Sequence, residues 1–282
     1  MKKNKVWLVT GAARGFGFEI AKAVLESGDM LIATVRSNPQ VLENALGNHK
    51  NLKVALLEIT NEASTKDVAK QAIEYFGRID VLVNNAGYGL LSAVEEATDA
   101  EVKANYEVNV FGLLNVTRAV LPYMRKQRSG HVINLSSVGG LTGVTGWGLY
   151  GSTKFAVEGI TEALATELAP LGIHATTVEP GFFRTDFLDG SSLTRSENII
   201  EDYKDTVGAM RDYATQVNKK QPGDAVKLAQ AFIKLANSES PPLHLPLGKD
   251  TLVYFKAKMD SFYSDIEIWN DTITGTDHED AL

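Results

Sequence analysis

Residues 5–17 read "KVWLVTGAARGFG", an apolar run that leads into a turn containing three glycines. The apolar run predicts a buried strand, and the helical periodicity after the turn predicts a helix. In such a connection Gly11 permits a tight turn, Gly15 lets a pyrophosphate approach the backbone, and Gly17 lets the helix pack closely on the strand. The N–H groups at the start of that helix would bind phosphate oxygens. We therefore predict a site for a phosphate-bearing ligand, the alternative being an ordinary strand-to-helix turn.

Five further apolar runs alternate with helical patterns along the chain. Their β-branched and leucine-rich sequences lack strict alternation of apolar and polar residues, which is typical of strands buried on both faces of a parallel sheet. The runs cover residues 30–35, 52–59, 79–87, 131–137 and 173–181. Alternation of strands and helices implies right-handed crossovers. We predict an α/β fold in a single domain, a Rossmann-type doubly wound parallel sheet of about seven strands flanked by helices.

The pattern loosens after the last of these runs, although the whole chain, 1–282, is expected to form the one domain. Segment 182–221 is expected to close over the site as a substrate lid. A helix is predicted at 224–237, and a proline-rich stretch follows at 240–248. Residues 249–282 are expected to form a C-terminal extension that contains a final helix.

Composition argues against several classes of function. The chain has 28 basic and 35 acidic residues and a net charge of −7, whereas a nucleic-acid or acidic-membrane partner would need a basic face. No cysteine is present, so disulfides and thiol chemistry are excluded. We expect no metal site, and structural or solvent-facing roles for the five scattered histidines: His49, His131, His174, His244 and His278. The early break in the first apolar run, at Thr10-Gly11, leads us to expect a cytoplasmic protein.

The end of the second predicted strand bears on the choice of dinucleotide. An NAD site places an Asp or Glu there to bind the ribose 2′-hydroxyl. The sequence "TVRSNPQ" at 34–40 contains no carboxylate, and Arg36 follows the strand instead. Arg36, together with Arg14 of the glycine turn, would bind a 2′-phosphate through charge-assisted hydrogen bonds. We therefore expect NADP(H) rather than NAD(H); the alternative is that both arginines are solvated surface residues.

Several motifs, taken in order, resemble those of the short-chain dehydrogenase/reductase family over about residues 5–190. The glycine motif of the family matches "TGAARGFG" at 10–17, and its "NNAG" stands intact at 84–87. Its "PG" after the sixth strand matches Pro180 and Gly181, four residues before Thr185. The resemblance implies a cofactor site built, beyond the three glycines and the two arginines, from Phe16, Asn85, Ala86, Gly87, Tyr150, Lys154, Pro180, Gly181 and Thr185.

The same resemblance assigns the catalytic residues. They are Asn109 in "YEVNVFG", Ser137 in "NLSSVGG", and Tyr150 with Lys154 in "LYGSTK". It implies that Tyr150 is the general acid and base and that Ser137 hydrogen-bonds the reacting oxygen. It further implies that Lys154 holds the nicotinamide ribose and that Asn109 anchors a water in a proton relay.

The spacing of a tyrosine four residues before a lysine occurs twice in this chain. Tyr254 and Lys258 form the second copy, in "YFKAK". Ser137 stands thirteen residues before Tyr150, whereas Pro241 stands thirteen residues before Tyr254. Since none of the other motifs accompanies the second copy, we interpret it as a pair on a helix surface.

The spacing also predicts an electrostatic effect. Lys154 lies one helical turn after Tyr150 and therefore on the same face. We expect its ammonium, together with the positive nicotinamide ring in the oxidative direction, to lower the tyrosine pKa from the usual value of about 10 toward neutral pH, where acid–base catalysis is efficient. The predicted function is that of an NADP-dependent oxidoreductase acting on a hydrophobic ketone or secondary alcohol. The alternative is a non-catalytic NADP(H)-binding sensor or scaffold.

Apolar and aromatic residues cluster near the predicted carboxyl ends of the strands, where a substrate would meet the nicotinamide. They suggest a hydrophobic small-molecule substrate, although each could instead only pack the lid on the core. The candidate pocket residues are Tyr88, Val138, Leu141, Trp147, Leu149, Phe182, Phe183 and Phe187.

Two features depart from the common pattern of the family. Glu58 stands in "LLEIT", where the family often has an aspartate that contacts the adenine amino group. The region beyond Pro180 is longer than in the commonest members and resembles the hydroxysteroid- and retinol-dehydrogenase-like branch. We expect a homodimer or homotetramer whose subunits pair differently from those of the tetrameric members with short C-termini.

Overall fold

The computed structural model describes residues 4–47 and 49–278. The strands are β1 Val6–Val9, β2 Met30–Val35, β3 Leu52–Leu56, β4 Val81–Asn84, β5 Gly89–Leu91, β6 Gly130–Leu135, β7 Ile173–Pro180, β8 Phe183–Arg184, β9 Leu193–Arg195, β10 Gly223–Asp224 and β11 His244–Leu247. The α-helices are α1 Gly15–Glu26, α2 Pro39–Leu46, α3 Glu62–Phe76, α4 Asp99–Tyr106, α5 Leu113–Gln127, α6 Val138–Leu141, α7 Gly148–Leu168, α8 Ala209–Val217, α9 Ala225–Ala236 and α10 Lys249–Thr274. Short π-helical turns occupy Glu107–Gly112 and Lys204–Gly208, and 3₁₀ turns occupy Ala169–Leu171 and Glu201–Tyr203.

Seven strands form one parallel sheet in the order β11-β7-β6-β4-β1-β2-β3. This confirms the predicted doubly wound sheet. Strand β1 pairs with β2 on one side and with β4 on the other, so the direction of winding reverses there. In open parallel sheets the crevice at the carboxyl ends beside such a reversal is where ligands bind. The fold therefore places the glycine turn after β1 at that crevice.

The sheet is buried on both faces. Trp7 and Val9 of β1 lie in an apolar cluster that includes side chains of α1 and α9. The intervening residue, Leu8, lies in a second cluster with side chains of α3 and α5. Successive side chains of a strand point to opposite faces, so this split explains why the strand sequences show continuous apolar runs.

Helix ends follow the local sequence. Thr98 and Glu101 form a capping box at the start of α4, the arrangement that a threonine followed three residues later by a glutamate favours. Asn61 caps α3 by accepting a hydrogen bond from the Ser64 N–H, and Asp224 caps α9 in the same manner. These caps fix the register of the helices that flank the sheet.

Two elements beyond residue 181 differ from the sequence-based description. The proline-rich stretch contains β11, which pairs in parallel with β7 at the edge of the sheet. An edge strand tolerates Pro246 because one side of the strand has no ladder to complete. Segment 182–221 is ordered and contains α8, and its strand β9 pairs with β5. Within residues 4–47 and 49–278 no helix is both long and apolar enough to cross a membrane.

Candidate active site

The turn between β1 and α1 has the geometry of a phosphate-binding loop. Gly11 and Gly15 have φ angles of 68° and 56°, in the left-handed region that favours glycine. A β-carbon at Gly17 would collide with the carbonyl oxygen of Gly11. The N-cap residue Arg14 makes no side-chain capping bond within the described structure. The first-turn N–H groups of this 12-residue helix are therefore suited to an anion.

The loop is held from behind by the segment that follows β4. The hydroxyl of Thr10 accepts hydrogen bonds from the N–H groups of Asn85 and Ala86, at 3.0 and 3.1 Å. The Asn85 amide donates to the carbonyl oxygens of Thr10 and Gly11, at 2.8 and 3.0 Å. Asn85 therefore fixes the glycine loop, while Gly87 lies exposed beside it.

Of the residues expected to contact the adenosine end of the cofactor, Arg36 and Glu58 are exposed, whereas Arg14 is bound to another segment of the chain. Arg36 is exposed just beyond the end of β2. Arg14 binds the lid segment, through Ser192 Oγ at 3.1 Å and the carbonyl of Ser191. The Glu58 carboxylate is exposed beyond β3 and accepts a 2.9 Å hydrogen bond from Thr60. Since β1, β2 and β3 are parallel neighbours, these three side chains follow the same edge of the sheet.

Asn109 is buried in the π-helical turn Glu107–Gly112. Its Oδ1 accepts from the N–H of Tyr88 at 3.0 Å, and its Nδ2 donates to the Tyr88 carbonyl at 2.9 Å. The same Nδ2 donates to the Thr153 hydroxyl on α7 at 3.1 Å. A π-turn inserted in a helix is frequently found at functional sites. Here it joins the segment after β4 to the helix that carries Tyr150.

Tyr150 and Lys154 lie together at the start of α7, and both are buried. The Lys154 Nζ donates to the Leu135 carbonyl at 2.7 Å and lies 5.7 Å from the centroid of the Tyr150 ring. Ser137 lies at the N-cap of α6, beyond the end of β6. It forms a hydrogen bond with Tyr150 that favours the phenolate. The three predicted catalytic groups are thus brought together from two parts of the chain.

Burial is the largest influence on the pKa values of both Tyr150 and Lys154. It raises the pKa of Tyr150 to about 12, an effect that the hydrogen bond with Ser137 offsets only in part. It lowers the pKa of Lys154 to about 8, against the opposing charge of Glu158. The expectation that Lys154 lowers the tyrosine pKa is therefore wrong for the protein's own groups. The physical reason is that desolvation of a buried phenolate outweighs a nearby ammonium that is itself bound to Leu135.

The second Tyr–Lys pair has a different environment. Tyr254 and Lys258 lie on α10, where the tyrosine ring packs edge-on against Phe182 at 6.1 Å. The Lys258 ammonium lies over the ring of Phe155, 4.7 Å from its centroid. Neither side chain of this pair contacts the glycine loop in the described structure. The pair lies on the surface of α10, as predicted, and its two side chains also contact Phe182 and Phe155 of the protein body.

An aromatic wall stands beside the Tyr150 ring. Phe187 and Trp147 lie 5.5 and 5.9 Å from it, and their own rings stack at 6.1 Å. Both rings also lie against Gly89, where a β-carbon would meet them at 2.9 and 3.1 Å. Half-buried Tyr88 precedes Gly89 directly. The wall gives the space over the phenol an apolar lining.

The remaining candidate pocket residues lie farther out or within packed regions. Phe182 faces Tyr254 of α10, and Phe183 packs edge-on against Phe16 at 5.5 Å. Val138 is buried in α6, and Leu141 and Leu149 are half-buried. Phe16 belongs to the periphery of the α1–α9 core, so its side chain packs the helix onto the sheet.

Segment 182–221, the predicted lid, meets the glycine loop directly. Thr185 lies opposite Gly15, where a β-carbon would be 3.8 Å from the threonine side chain. Gly15 and Thr185 line a cleft of about 230 Å³, and its other lining residues include Arg184, Asp186 and Lys219. Pro180 and Gly181 end β7 just before this point, and the Gly181 N–H donates to the Leu247 carbonyl at 2.9 Å. The described segment 182–221 therefore covers one side of the predicted cofactor cleft.

Glu96 anchors segment 182–221, and sequence reasoning missed it. Its buried carboxylate accepts from the N–H groups of Ala93 at 2.9 Å and Ile200 at 3.0 Å, and forms an ion pair with Arg211 of α8. Burial by itself raises the pKa of Glu96, but these hydrogen bonds and the arginine outweigh it and lower the pKa. The Ser196 hydroxyl adds a bond to the Glu96 carbonyl at 2.9 Å. Only the tertiary structure joins these residues, so no local pattern could have identified them.

Glu96→Gln is expected to lower the free energy of unfolding at pH 7 by about 2–4 kcal/mol, because the Arg211 charge is left without its counter-charge. The lowered pKa of Glu96 means that its stabilisation is present above the ordinary value of 4.5 and is lost as the pH falls. The two proteins should therefore converge in acid. Urea unfolding at pH 7 and in acid measures the difference, with exposed Glu95→Gln as control. Equal losses in both variants would contradict the role given to Glu96.

Two buried glutamates and the exposed His244 lie close together behind the active site. Glu158 follows Lys154 by one turn of α7, and ligand atoms of Glu158, Glu179 and His244 all lie within 4.8 Å of one another. Such a set could bind a cation. Burial raises the pKa of Glu158, and burial together with repulsion from Glu158 raises the pKa of Glu179 to about 7. A proton on the pair therefore also relieves the repulsion. In the sequence, the signal that could have indicated this cluster was Glu179, a carboxylate inside the apolar run of β7.

Known proteins resemble this chain along nearly its whole length. The family pattern for short chain dehydrogenases matches residues 5–196. Oxidoreductase BOA17 of Botryotinia fuckeliana is 38% identical over 270 residues, which are 95% of this chain and 97% of the relative. A 3-ketodihydrosphingosine reductase of Bacteroides thetaiotaomicron is 37% identical over 93% of this chain and 94% of its own length.

Solved structures give the same result. A short-chain dehydrogenase from Streptomyces avermitilis, 38% identical, superposes with a TM-score of 0.90 over 98% of this chain and all of that one. ElxO with NADP bound, 27% identical, superposes with a TM-score of 0.74 over 89% of this chain and all of its own. The glycine loop, the buried Tyr150–Lys154 pair and these similarities agree, and the chain belongs to the short-chain dehydrogenase family.

Proposed function

We propose that this oxidoreductase transfers a hydride between NADP(H) and an apolar ketone or secondary alcohol. The observation that carries the proposal is the buried Tyr150 phenol with Lys154 and Ser137 beside it. A buried phenol whose pKa is about 12 is protonated at neutral pH. It is therefore ready to donate a proton, as reduction of a carbonyl requires.

The residues that would hold the cofactor suit a phosphorylated dinucleotide. The glycine loop and the uncapped start of α1 provide N–H donors for a pyrophosphate. Arg36 would bind a 2′-phosphate, and Arg14 would join it by exchanging its bonds to the lid. ElxO, a structural relative, carries NADP, which supports this assignment. By family resemblance, Gly87, Pro180, Gly181 and Thr185 would contact the bound cofactor, with Thr185 at its nicotinamide end; Thr185 lines the cleft beside Gly15.

When bound, NADPH supplies the hydride for the carbonyl carbon. Tyr150 donates its phenolic proton to the carbonyl oxygen, and Ser137 hydrogen-bonds that oxygen as negative charge develops on it. The ammonium of Lys154 then stabilises the phenolate that remains. Asn109 fixes the backbone at Tyr88, and this places Gly87 beside the lysine, 3.8 Å from a β-carbon position to Nζ. These steps need no metal ligand and no thiol.

The substrate is expected to be apolar. Trp147 and Phe187 present aromatic surfaces to the space over Tyr150, and such walls favour hydrophobic ligands. A relative with 37% identity is a reductase of a 3-keto compound, as its name states, which supports a ketone as the oxidised substrate. We therefore infer a ketone whose carbonyl is flanked by extended hydrocarbon or ring structure.

The test is a panel of apolar and polar ketones with NADPH or NADH, followed by loss of nicotinamide absorbance. We expect turnover of apolar ketones with NADPH, and a kcat/KM with NADH lower by at least about tenfold, the equivalent of one charge-assisted contact. Equal use of NADH would contradict the role of Arg36. Tight NADPH binding without turnover of any carbonyl compound would favour the sensor interpretation instead.

A further inference from the structure

The final helix, α10, is largely exposed. It runs for 26 residues from Lys249 to Thr274, a length of about 39 Å. Thr251, in its first turn, is buried, but the helix beyond it is mostly exposed to solvent. Helices on globular proteins normally bury an apolar stripe against the core.

Seven apolar side chains of α10 form one seam with alternating spacings of three and four residues. They are Leu252, Phe255, Met259, Phe262, Ile266, Trp269 and Ile273. This is the heptad pattern of a coiled coil, sustained over three repeats. Most of the seam is exposed: Leu252 by 56%, Phe255 by 40%, Phe262 by 57%, Trp269 by 61% and Ile273 by 49%. An apolar surface of this extent marks an interaction site.

The helix packs on its own subunit mainly through other positions. Tyr254 contacts Phe182, and Lys258 lies over Phe155. A shallow groove of about 420 Å³ separates this side of α10 from Thr142. The seam runs beside these contacts, and Phe262 of the seam also lines the groove. The subunit therefore uses one side of the helix and leaves the heptad seam for a partner.

Charge along the helix differs between its two halves. Residues 249–260 contain three lysines and two aspartates, whereas residues 261–274 contain three acidic side chains and neither lysine nor arginine. The three acidic residues are Asp265, Glu267 and Asp271. If two such helices paired in parallel, the acidic half of one helix would lie against the acidic half of the other. Antiparallel helices place the basic half against the acidic half, and they also oppose the two helix dipoles favourably.

We propose that α10 is a dimerisation helix, which pairs through this seam with α10 of a second copy of the chain in an antiparallel coiled coil. A two-fold axis near Phe262, the middle of the seam, brings Lys258 of one subunit next to Asp265 of the other. A lipid surface is the less suitable occupant, since the acidic half and the net charge of −7 would be repelled by anionic headgroups.

Single cysteines test the geometry, because the natural chain contains none. Phe262→Cys is expected to yield a disulfide-linked dimer on mild oxidation, since the residue meets its symmetry mate at the axis. Phe255→Cys should cross-link at least about tenfold less, because antiparallel helices separate the two copies of this position by about 20 Å. Equal cross-linking at both positions would show parallel pairing and overturn the proposal, as would no cross-linking at Phe262.

The energetic test uses the full chain in sedimentation experiments. Wild type should have at least twice the 30.6 kDa mass of one chain at micromolar concentration. Phe255→Asp/Trp269→Asp should weaken the association by about 100-fold or more, as expected for the loss of two aromatic anchors. Val253→Asp/Ile268→Asp is the matched control, because these apolar residues are 68% and 73% exposed but lie off the seam. Equal effects of the two variants would overturn the proposal.

Charge reversal provides an independent check on direction. Lys258→Glu should weaken the dimer at low salt by about tenfold, and Lys258→Glu/Asp265→Lys should restore it, because both contacts across the axis are exchanged together. Absence of restoration would argue against the antiparallel register. A wild-type chain that stays monomeric and floats with phosphatidylcholine vesicles, with flotation lost in the seam variant, would replace the proposal with a lipid-binding role.

Discussion

Tyr150→Phe is expected to lower kcat for ketone reduction by at least about a thousandfold while the protein still folds and binds NADPH. The substitution removes the phenolic proton and the hydrogen bond with Ser137, but it keeps the ring that packs against Trp147 and Phe187. Steady-state rates with the best ketone of the panel measure the first effect. Fluorescence titration with NADPH measures the second.

The second copy of the motif supplies the control for this experiment. Tyr254→Phe removes a hydroxyl from the same sequence spacing on a partly exposed helix, away from the glycine loop. It is expected to leave kcat within about twofold of wild type, as usual for surface changes. A Tyr150→Phe variant with ordinary turnover would remove the assignment of the general acid.

Lys154→Met should lower kcat by about 10²–10⁴-fold, because the phenolate formed at Tyr150 loses the neighbouring ammonium. The pKa of Lys154 is lowered to about 8, so the charged form predominates below that pH and is lost above it. The wild-type rate of reduction should therefore fall as the pH rises through about 8. Lys154→Met has no titrating ammonium at this position, so its rate should not decrease in this pH range.

The measurement is the dependence of kcat on pH between about 6 and 10, spanning the lysine titration on both sides. Lys258→Met is the matched control, since Lys258 follows Tyr254 at the same spacing and lies over Phe155. Circular dichroism and an NADPH titration separate a catalytic loss from misfolding. A decrease near pH 8 that persists in Lys154→Met would assign the titration to another group.

The two variants also separate proton transfer from cofactor binding. Tyr150→Phe is expected to lower turnover alone. Lys154→Met is also expected to lower the affinity for NADPH, because by family resemblance Lys154 holds the nicotinamide ribose. Its bond to the Leu135 carbonyl at 2.7 Å fixes the ammonium at the end of β6. A selective effect of Lys154→Met on NADPH affinity, with kcat retained, would reduce the lysine to a binding role.

Many structural features of the first 181 residues could be predicted from the sequence, because the patterns that indicate them are local. The strand runs, the glycine turn and the Thr98 capping box depend on residues within a few positions of one another. The spacing of Tyr150 and Lys154 is likewise a property of one helical turn, so their shared face could be predicted. The structure confirms the predicted fold and brings Ser137 to the same pair.

Other features depend on groups that are distant along the chain. Glu96 and Arg211 form a buried pair across 115 residues, and Glu179 meets His244 across 65. The edge strand β11 exists because β7 offers it a partner, although its own sequence is rich in proline. Nothing within a short window of sequence encodes these contacts.

For this protein, the sequence by itself determined the order of strands and helices, the phosphate loop and the identity of the Tyr150–Lys154 pair. The tertiary structure decided the proton affinities, the attachment of the lid and the exposed seam of α10. Local periodicity fixes which face a side chain occupies. Its pKa and its exposure depend on desolvation by everything packed around it, which only the folded chain brings together.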